Sequence, residues 1–171
     1  METFTKVHGR SFLISQLRKN TSVWIGHIPG YQNDHFAGEI FLCPATSELT
    51  HIQLFLAAVQ NPGEVFLTLH SFDEKDKKWG PQIAVTKATV SELNKEEWMC
   101  FELPGTCLVK NEYYGFRLHT NQALVAIGEA AAGAEGPFED EEWSADLENL
   151  NGHYYKYFSL TFKIELETPP L

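Results

Sequence analysis

Apolar and polar residues alternate along most of this chain with a period of two, which is typical of β-strands. The clearest case is a pair of apolar runs, residues 48–59 and 64–73, on either side of a short break. The break contains Pro62, which fixes φ, and Gly63, which accepts positive φ, so a tight turn is predicted there. The two runs therefore predict a long antiparallel β-hairpin near the middle of a sheet.

The same alternation recurs in further segments, and the only helical signal is a short turn at residues 91–94. The spacing of eight or nine predicted strands is typical of sandwiches and barrels. We therefore predict an all-β, antiparallel two-sheet jelly-roll sandwich formed by a single domain, residues 1–171, with a tail at 167–171. The further predicted strands are residues 35–43, 82–90, 97–103, 113–120, 123–130 and 153–167, with 113–120 and 123–130 as partners around a turn and with loops at 20–33 and 73–81. Residues 11–18 are either a first strand or a short amphipathic piece.

The hydrophobic faces of the two central runs identify core positions. Leu54 lies on the apolar face of the first run, and Leu67 lies on that of the second. With 171 residues and 43% hydrophobic content, the chain is large enough for one domain with a substantial core. We therefore expect both leucine side chains to be buried.

The charge balance excludes some classes of partner. The chain has 13 basic and 23 acidic residues and a net charge of -10, which disfavours nucleic acid and anionic membranes. No apolar run approaches the roughly 18 residues of a membrane span. Residues 1–10 lack the apolar core and cleavage site of a signal peptide, so we expect a cytoplasmic protein unless a leader was removed.

Much of the negative charge is concentrated in one segment. Eight acidic residues lie in residues 129–148, and no Lys or Arg lies between Arg117 and Lys156. We expect residues 129–152 to form a long acidic loop. Because like charges repel by up to about 1 kcal/mol per close pair in water, such a loop either stays solvated and mobile or gathers around a cation such as calcium. The solvated loop is the preferred prediction, because the segment lacks the alternating aspartates that wrap one ion.

The three cysteines do not form a disulfide or zinc pattern. Cys43, Cys100 and Cys107 are odd in number, and no Cys-x-x-Cys spacing occurs. Free cysteine behaves as a small hydrophobe. We expect three reduced and mostly buried thiols.

Several strand-and-turn sequences resemble one class of bacterial domain. The matching segments are residues 36–41, 49–56, 61–65, 98–103, 113–118 and 160–163, and together they cover about residues 33–166. They are similar to galactose-binding-like, carbohydrate-binding-module-like jelly rolls, which are found appended to surface and secreted proteins. The resemblance implies a non-catalytic binding module that needs no cofactor.

The main catalytic alternative is a cupin-like metal enzyme. His27, His35 and Glu39 lie close together in the sequence, as some of the ligands of such a site would. The His-x-His pair of the cupin pattern is absent from this sequence. A Gly-x-Ser-x-Gly elbow and a phosphate-binding loop are absent too. We therefore expect no enzymatic activity.

Aromatic residues outside the strongest strand patterns are the candidate ligand contacts. A flat ring beside a hydrogen-bonding partner suits the apolar C–H face of a sugar. The predicted ligand-binding residues are Trp24, Tyr31, Asn33, Asp34, Trp79 and Trp143. The same rings could instead cap the ends of the sandwich core.

Two functions remain open at this point. A carbohydrate-binding module predicts a loop cleft that contains an exposed Trp or Tyr with carboxamides around it. A structural or protein-interaction domain, whose partner is another protein chain, predicts a flat apolar patch instead.

Overall fold

The computed structural model describes residues 10–132, 140–147, 154–155 and 157–168. Within these residues the chain forms thirteen β-strands and a three-residue 3₁₀ helix, η1 (Glu92–Asn94), in the predicted helical turn. In this part of the chain, no helix is long and apolar enough to cross a bilayer. The strands are β1 (Ser11–Gln16), β2 (Thr21–Gly26), β3 (Phe36–Leu42), β4 (Ser47–Asn61), β5 (Gly63–Asp73), β6 (Lys78–Val90), β7 (Glu97–Leu108), β8 (Tyr113–Thr120), β9 (Leu124–Ala131), β10 (Glu141–Ser144), β11 (Tyr154–Tyr155), β12 (Phe158–Leu160) and β13 (Phe162–Glu167).

The strands form two antiparallel sheets that pack into a sandwich, which confirms the predicted fold class. The seven-stranded sheet has the order β1-β13-β4-β9-β12, with β7 also paired to β4 and β2 also paired to β9. The six-stranded sheet has the order β11-β10-β3-β8-β5-β6. Successive side chains of a strand point to opposite faces, so each strand supplies alternate residues to the space between the sheets.

The core lies between the two sheets, and the predicted core leucines are both there. Leu54 of the seven-stranded sheet and Leu67 of the six-stranded sheet are completely buried. Other large, fully buried side chains are Ile52, Leu56 and Phe101 from the first sheet and Leu69, Phe116 and Leu118 from the second.

The predicted central hairpin is wrong. The first arm, β4, pairs with β13, β7 and β9, whereas the second arm, β5, pairs with β6 and β8. The turn at Pro62 therefore carries the chain from one sheet to the other. Alternation in a sequence shows which side chains face the core, but it does not show which strand lies alongside.

A second crossing occurs between β8 and β9, which were predicted partners but belong to different sheets. The backbone N–H of Ala123 donates to Oγ1 of Thr120 at 2.9 Å and fixes this corner. The predicted loop at residues 20–33 also differs, since it contains β2, which pairs with β9.

The acidic segment is not a continuous solvated loop. Glu129 lies in β9 and is 6% exposed, while Glu141 and Glu142 lie in β10 and are each 1% exposed. The solvated-loop prediction is wrong for these three carboxyls. Glu129 and Glu141 line a pocket between the sheets, and Glu142 pairs with the buried Arg117. The rest of the predicted loop falls partly on residues 133–139 and 148–153, which lie outside the described residues.

The three cysteines are free, as predicted, but only Cys43 is buried. Cys100 and Cys107 are exposed, so the expectation of mostly buried thiols is wrong for these two. Both lie on β7 at positions that alternate with the buried side chains of that strand.

Candidate functional site

A surface cleft lies where the β2–β3 loop meets the chain that follows β10. We call it the loop cleft. It has a volume of about 380 Å³, and its lining residues are Gln32, Asn33, Asp34, Ala145 and Leu147. The two segments are adjacent because β3 and β10 pair antiparallel, with Phe36 opposite Ser144.

Hydrogen bonds hold both sides of the loop cleft. The Asp34 carboxylate contacts Nδ1 of His27 at 3.1 Å, and both side chains are exposed. On the other side, the N–H of Asp146 donates to Oγ of Ser144 at 3.1 Å, and Arg117 donates to the carbonyl oxygen of Leu147 at 3.4 Å. Hydrogen bonds therefore fix both of the chain segments that present the polar groups of the cleft.

A row of rings begins in the β2–β3 loop and continues across β10 to β11. We call Tyr31, His35, Trp143 and Tyr155 the aromatic row. The Tyr31 ring meets the His35 ring edge-on at 4.6 Å, and His35 stacks on Trp143 at 4.4 Å. Trp143 and Tyr155 follow at 6.5 Å between centroids. Tyr31 is 53% exposed and Tyr155 is 40% exposed, so the row is open at both ends.

The middle of the aromatic row is fixed and uncharged. Nε1 of Trp143 donates to the carbonyl oxygen of Trp24 at 3.0 Å, which ties β10 to β2. Burial lowers the pKa of His35, and this effect exceeds the opposing influence of Asp34. The His35 ring is therefore expected to be neutral near pH 7 and to act as a stacking surface.

A second pocket, which we call the carboxyl pocket, opens between the two sheets beside Trp143. It has a volume of about 150 Å³. Its described lining comes from both sheets and consists of Val23, Glu129, Glu141, Trp143, Tyr155 and Phe158. Strand alternation explains why Glu141 and Trp143 reach this pocket while Glu142, between them, points to the outer face of the six-stranded sheet.

The carboxyls of this region are held in an environment that disfavours charge. Burial raises the pKa of Glu141 to about 11, and the hydrogen bond and charge of Glu129 and the charge of Glu39 add to the increase. Glu39 lies directly opposite Glu141 in the β3–β10 register. Burial also raises the pKa of Glu39 well above its ordinary value, although the Leu160 N–H donates to its carboxylate at 2.7 Å.

On the outer face of the six-stranded sheet, Arg117 and Glu142 form a buried ion pair. Both hydrogen bonds of the pair are 2.9 Å long. The guanidinium lies 4.1 Å from the ring centroid of Trp79 and 5.0 Å from that of Phe36. Gly115 makes room for this arrangement, since a Cβ there would lie 2.4 Å from the Trp79 ring.

The structure brings most of the predicted ligand-binding residues into one region. Asn33 and Asp34 line the loop cleft, and Tyr31 lies one residue before Gln32 of that lining. Trp143 lies behind the cleft in the aromatic row, and Trp24 is half-buried in β2 and offers its carbonyl oxygen to Trp143.

Trp79 does not belong to this region, so the prediction of Trp79 as a ligand-binding residue beside the others is wrong. It is 3% exposed and packs with Ile40 and Phe72 in a small cluster on the outer face of the six-stranded sheet. Its indole covers Arg117, so its role is that of a cap over the sheet. Sequence reasoning treated Trp79 as a loop residue because polar residues precede it. In the structure Trp79 lies in β6 and pairs with Phe72 of β5.

Sequence reasoning missed Gln32 of the loop cleft and the carboxyl pocket residues Glu129, Glu141 and Tyr155. Gln32 could have been included, because it lies between two predicted residues. The pocket residues carried no such signal, because they come from strands that are distant in the sequence.

The described residues contain no group of three His, Cys, Asp or Glu side chains arranged to hold a metal ion. The residues of the cupin-like alternative have separate partners. His27 contacts Asp34 at the surface, whereas Glu39 is buried and accepts a hydrogen bond from Leu160.

The fold defines a β-sandwich of a kind already seen in solved structures, although the sequence identifies no family. No family model matches the chain, and no curated protein matches it. One similar structure is a variant of the clostridial cysteine protease Cwp84 after propeptide cleavage, with a TM-score of 0.61, 12% identity, and coverage of 93% of this chain and 40% of that chain.

A second similar structure contains the cysteine protease and lectin-like domains of Cwp84, described as a surface layer associated protein of Clostridium difficile. Here the TM-score is 0.53 at 10% identity, over 80% of this chain and 33% of that chain. This chain therefore spans less than half the length of each of these two chains. At these identities the likeness establishes the β-sandwich fold alone.

Proposed function

We propose that this chain is a non-catalytic carbohydrate-binding module and that the saccharide occupies the loop cleft. The observation that carries the proposal is the exposed ring of Tyr31, which directly precedes the cleft residues Gln32, Asn33 and Asp34 in the β2–β3 loop. This combination is what the sequence analysis required of a glycan site: an exposed aromatic with carboxamides around it.

The chemistry of the loop cleft suits a sugar. An exposed tyrosine ring can cover the apolar C–H face of a pyranose, while Gln32 and Asn33 each offer both a donor and an acceptor to its hydroxyl groups. The volume of about 380 Å³ falls within the range of small-ligand sites. The net charge of -10 favours neutral or cationic saccharides over anionic ones.

The cleft supports binding better than hydrolysis. Glycoside hydrolysis needs two carboxyl groups that converge on one bond. The described lining of the loop cleft contains one carboxyl, that of Asp34, and it is engaged with His27. The lectin-like domain named for one similar structure adds support to a binding role.

The test is a glycan-array screen of the intact chain, followed by titration of any saccharide that binds. Tyr31→Ala and Asn33→Ala should abolish binding and leave the melting temperature nearly unchanged. Tyr157→Ala is the matched control, because Tyr157 is 55% exposed, as Tyr31 is 53% exposed, but lies outside the β2–β3 loop that carries the cleft residues. Retained binding in both cleft variants would contradict the proposal.

A protein-interaction role is the second candidate, and one observation favours it. β6 is an edge strand of the six-stranded sheet, and Ile83 and Val85 on it are 44% and 56% exposed. Exposed apolar edge strands are templates for pairing with another chain. Light scattering of the wild type and of Val85→Lys would test it, since self-association should be seen in the first and lost in the second.

A further inference from the structure

We propose that the carboxyl pocket is a binding site for the primary ammonium group of a small organic ligand. This site is separate from the loop cleft and does not depend on the saccharide proposal. Its described lining has two carboxyls, Glu129 and Glu141, and three rings, and it contains no Lys or Arg.

The first observation is an unpartnered acceptor. Glu141 is 1% exposed and lines the pocket, and its Oε2 has no hydrogen-bond partner. A buried polar atom without a partner is unfavourable because it has lost its hydrogen bonds to water, so most native structures avoid it. A donor on a bound ligand would satisfy this atom.

The second observation is the chemistry of the walls. The pocket offers the rings of Trp143, Tyr155 and Phe158. Aromatic faces attract organic cations, and a carboxylate supplies the balancing charge. A metal ion suits the pocket less well, since the described side chains include no metal-holding group of three acidic or imidazole ligands.

A primary ammonium fits better than a quaternary one. Its N–H groups can donate to Oε2 of Glu141, whereas a quaternary ammonium has no N–H to donate. The volume of about 150 Å³ is small, so the pocket would take the ammonium with a short alkyl stem. The half-exposed ring of Tyr155 leaves the pocket accessible from solvent.

Binding should release a proton. In the empty pocket Glu141 is protonated near neutral pH, because burial, Glu129 and Glu39 all raise its pKa. Asp140 adds negative charge near Glu39, and Tyr155 is the remaining titratable group in the lining. When the cation enters, its charge favours the carboxylate form of Glu141, and the carboxyl proton passes to solvent while the ammonium keeps its own proton.

The test is calorimetric titration of the intact chain with n-propylammonium chloride. The neutral analogue n-propanol and the quaternary tetramethylammonium ion are the comparison ligands. We expect n-propylammonium to bind about tenfold or more tightly than either, because each lacks the charge or the N–H donor. Equal binding of n-propanol would overturn the proposed charge recognition, equal binding of tetramethylammonium would overturn the role of Oε2, and no binding of n-propylammonium would overturn the site.

Two further measurements isolate Glu141. Titration of the wild type in two buffers of different ionisation enthalpy should show proton release, and heats that do not depend on the buffer would contradict the mechanism. Glu141→Gln keeps the shape of the side chain but cannot become anionic, so it should lose about tenfold or more in affinity and release no proton. Glu165→Gln, at an exposed carboxyl outside the pocket, should bind as the wild type does. If Glu141→Gln fails to fold, the wild-type proton release still decides the question.

Discussion

Arg117 donates two hydrogen bonds of 2.9 Å to the Glu142 carboxylate, and this pair joins β8 to β10 across β3. The arginine also donates to the carbonyl oxygen of Leu147, a residue of the loop cleft. The ion pair therefore links the interior strands of the six-stranded sheet to one wall of the proposed saccharide site. It also explains how an acidic segment can be folded against the sandwich.

Breaking this ion pair should strongly destabilise the fold. Glu142→Gln removes the carboxylate charge that accepts both hydrogen bonds from the buried Arg117 guanidinium, and breaking a buried pair in this way costs about 3–5 kcal/mol. Chemical denaturation would measure the loss in the free energy of unfolding. The control is Glu64→Gln, which breaks the exposed contact between Glu64 and Lys87 at 2.8 Å and should cost less than about 1 kcal/mol. Equal losses of unfolding free energy in the two variants would show that the buried pair contributes no more to stability than the exposed pair.

Strands β4 and β5, which belong to opposite sheets, should contribute similarly to the stability of the core. Leu54→Ala and Leu67→Ala each remove a completely buried side chain, so each should cost roughly 2–5 kcal/mol. Leu93→Ala is the control, because Leu93 is 88% exposed, and its effect should stay within about 0.5 kcal/mol. Denaturation curves that show a loss below about 0.5 kcal/mol for either core variant would argue against its placement.

Stability should decrease as the pH rises above the ordinary carboxyl range. Glu39 and Glu141 have raised pKa values, that of Glu141 moving from 4.5 to about 11, so they keep their protons in the folded state and lose them on unfolding. Each such carboxyl lowers the free energy of unfolding by about 1.4 kcal/mol per pH unit between its unfolded and folded pKa values.

Denaturation between about pH 7 and about pH 9 would measure this slope, because below about pH 6.5 the lowered pKa values of His35, His70 and His119 make stability rise with pH. Glu141→Gln should make the profile shallower by removing one of the two groups. A profile that rises with pH over this interval, or that is unchanged by Glu141→Gln, would contradict the protonated state of the buried carboxyls.

Substitution of Trp79 should lower stability, whereas substitution of Tyr31 should abolish saccharide binding. Trp79→Ala removes a buried ring that covers Arg117, and it should cost about 3–5 kcal/mol without removing any contact from the loop cleft. Tyr31→Ala removes a ring that is 53% exposed, and it should cost about 1 kcal/mol or less while abolishing saccharide binding. Melting curves and titrations of the two variants distinguish a cap from a ligand contact.

The candidate site was predictable only in part. Tyr31, Asn33 and Asp34 lie together in the sequence, within a stretch rich in Gly, Pro and Asn, so their common exposure followed from local composition. Glu129 and Glu141 could not be assigned in this way, because their environment is made by Glu39, Trp143 and strands from both sheets. A carboxyl's burial and pKa depend on those neighbours and not on its own segment.

The sequence by itself determined the all-β class and the core faces of the strands. Period-two alternation is a local property, and it places Leu54 and Leu67 in the core whichever strands lie beside them. Only the tertiary structure decided that β4 and β5 belong to opposite sheets, and that Glu141 and Glu142 lie in a paired strand and not in a loop. Strand pairing is settled by how two sheets bury their apolar faces together, which no single segment of the chain encodes.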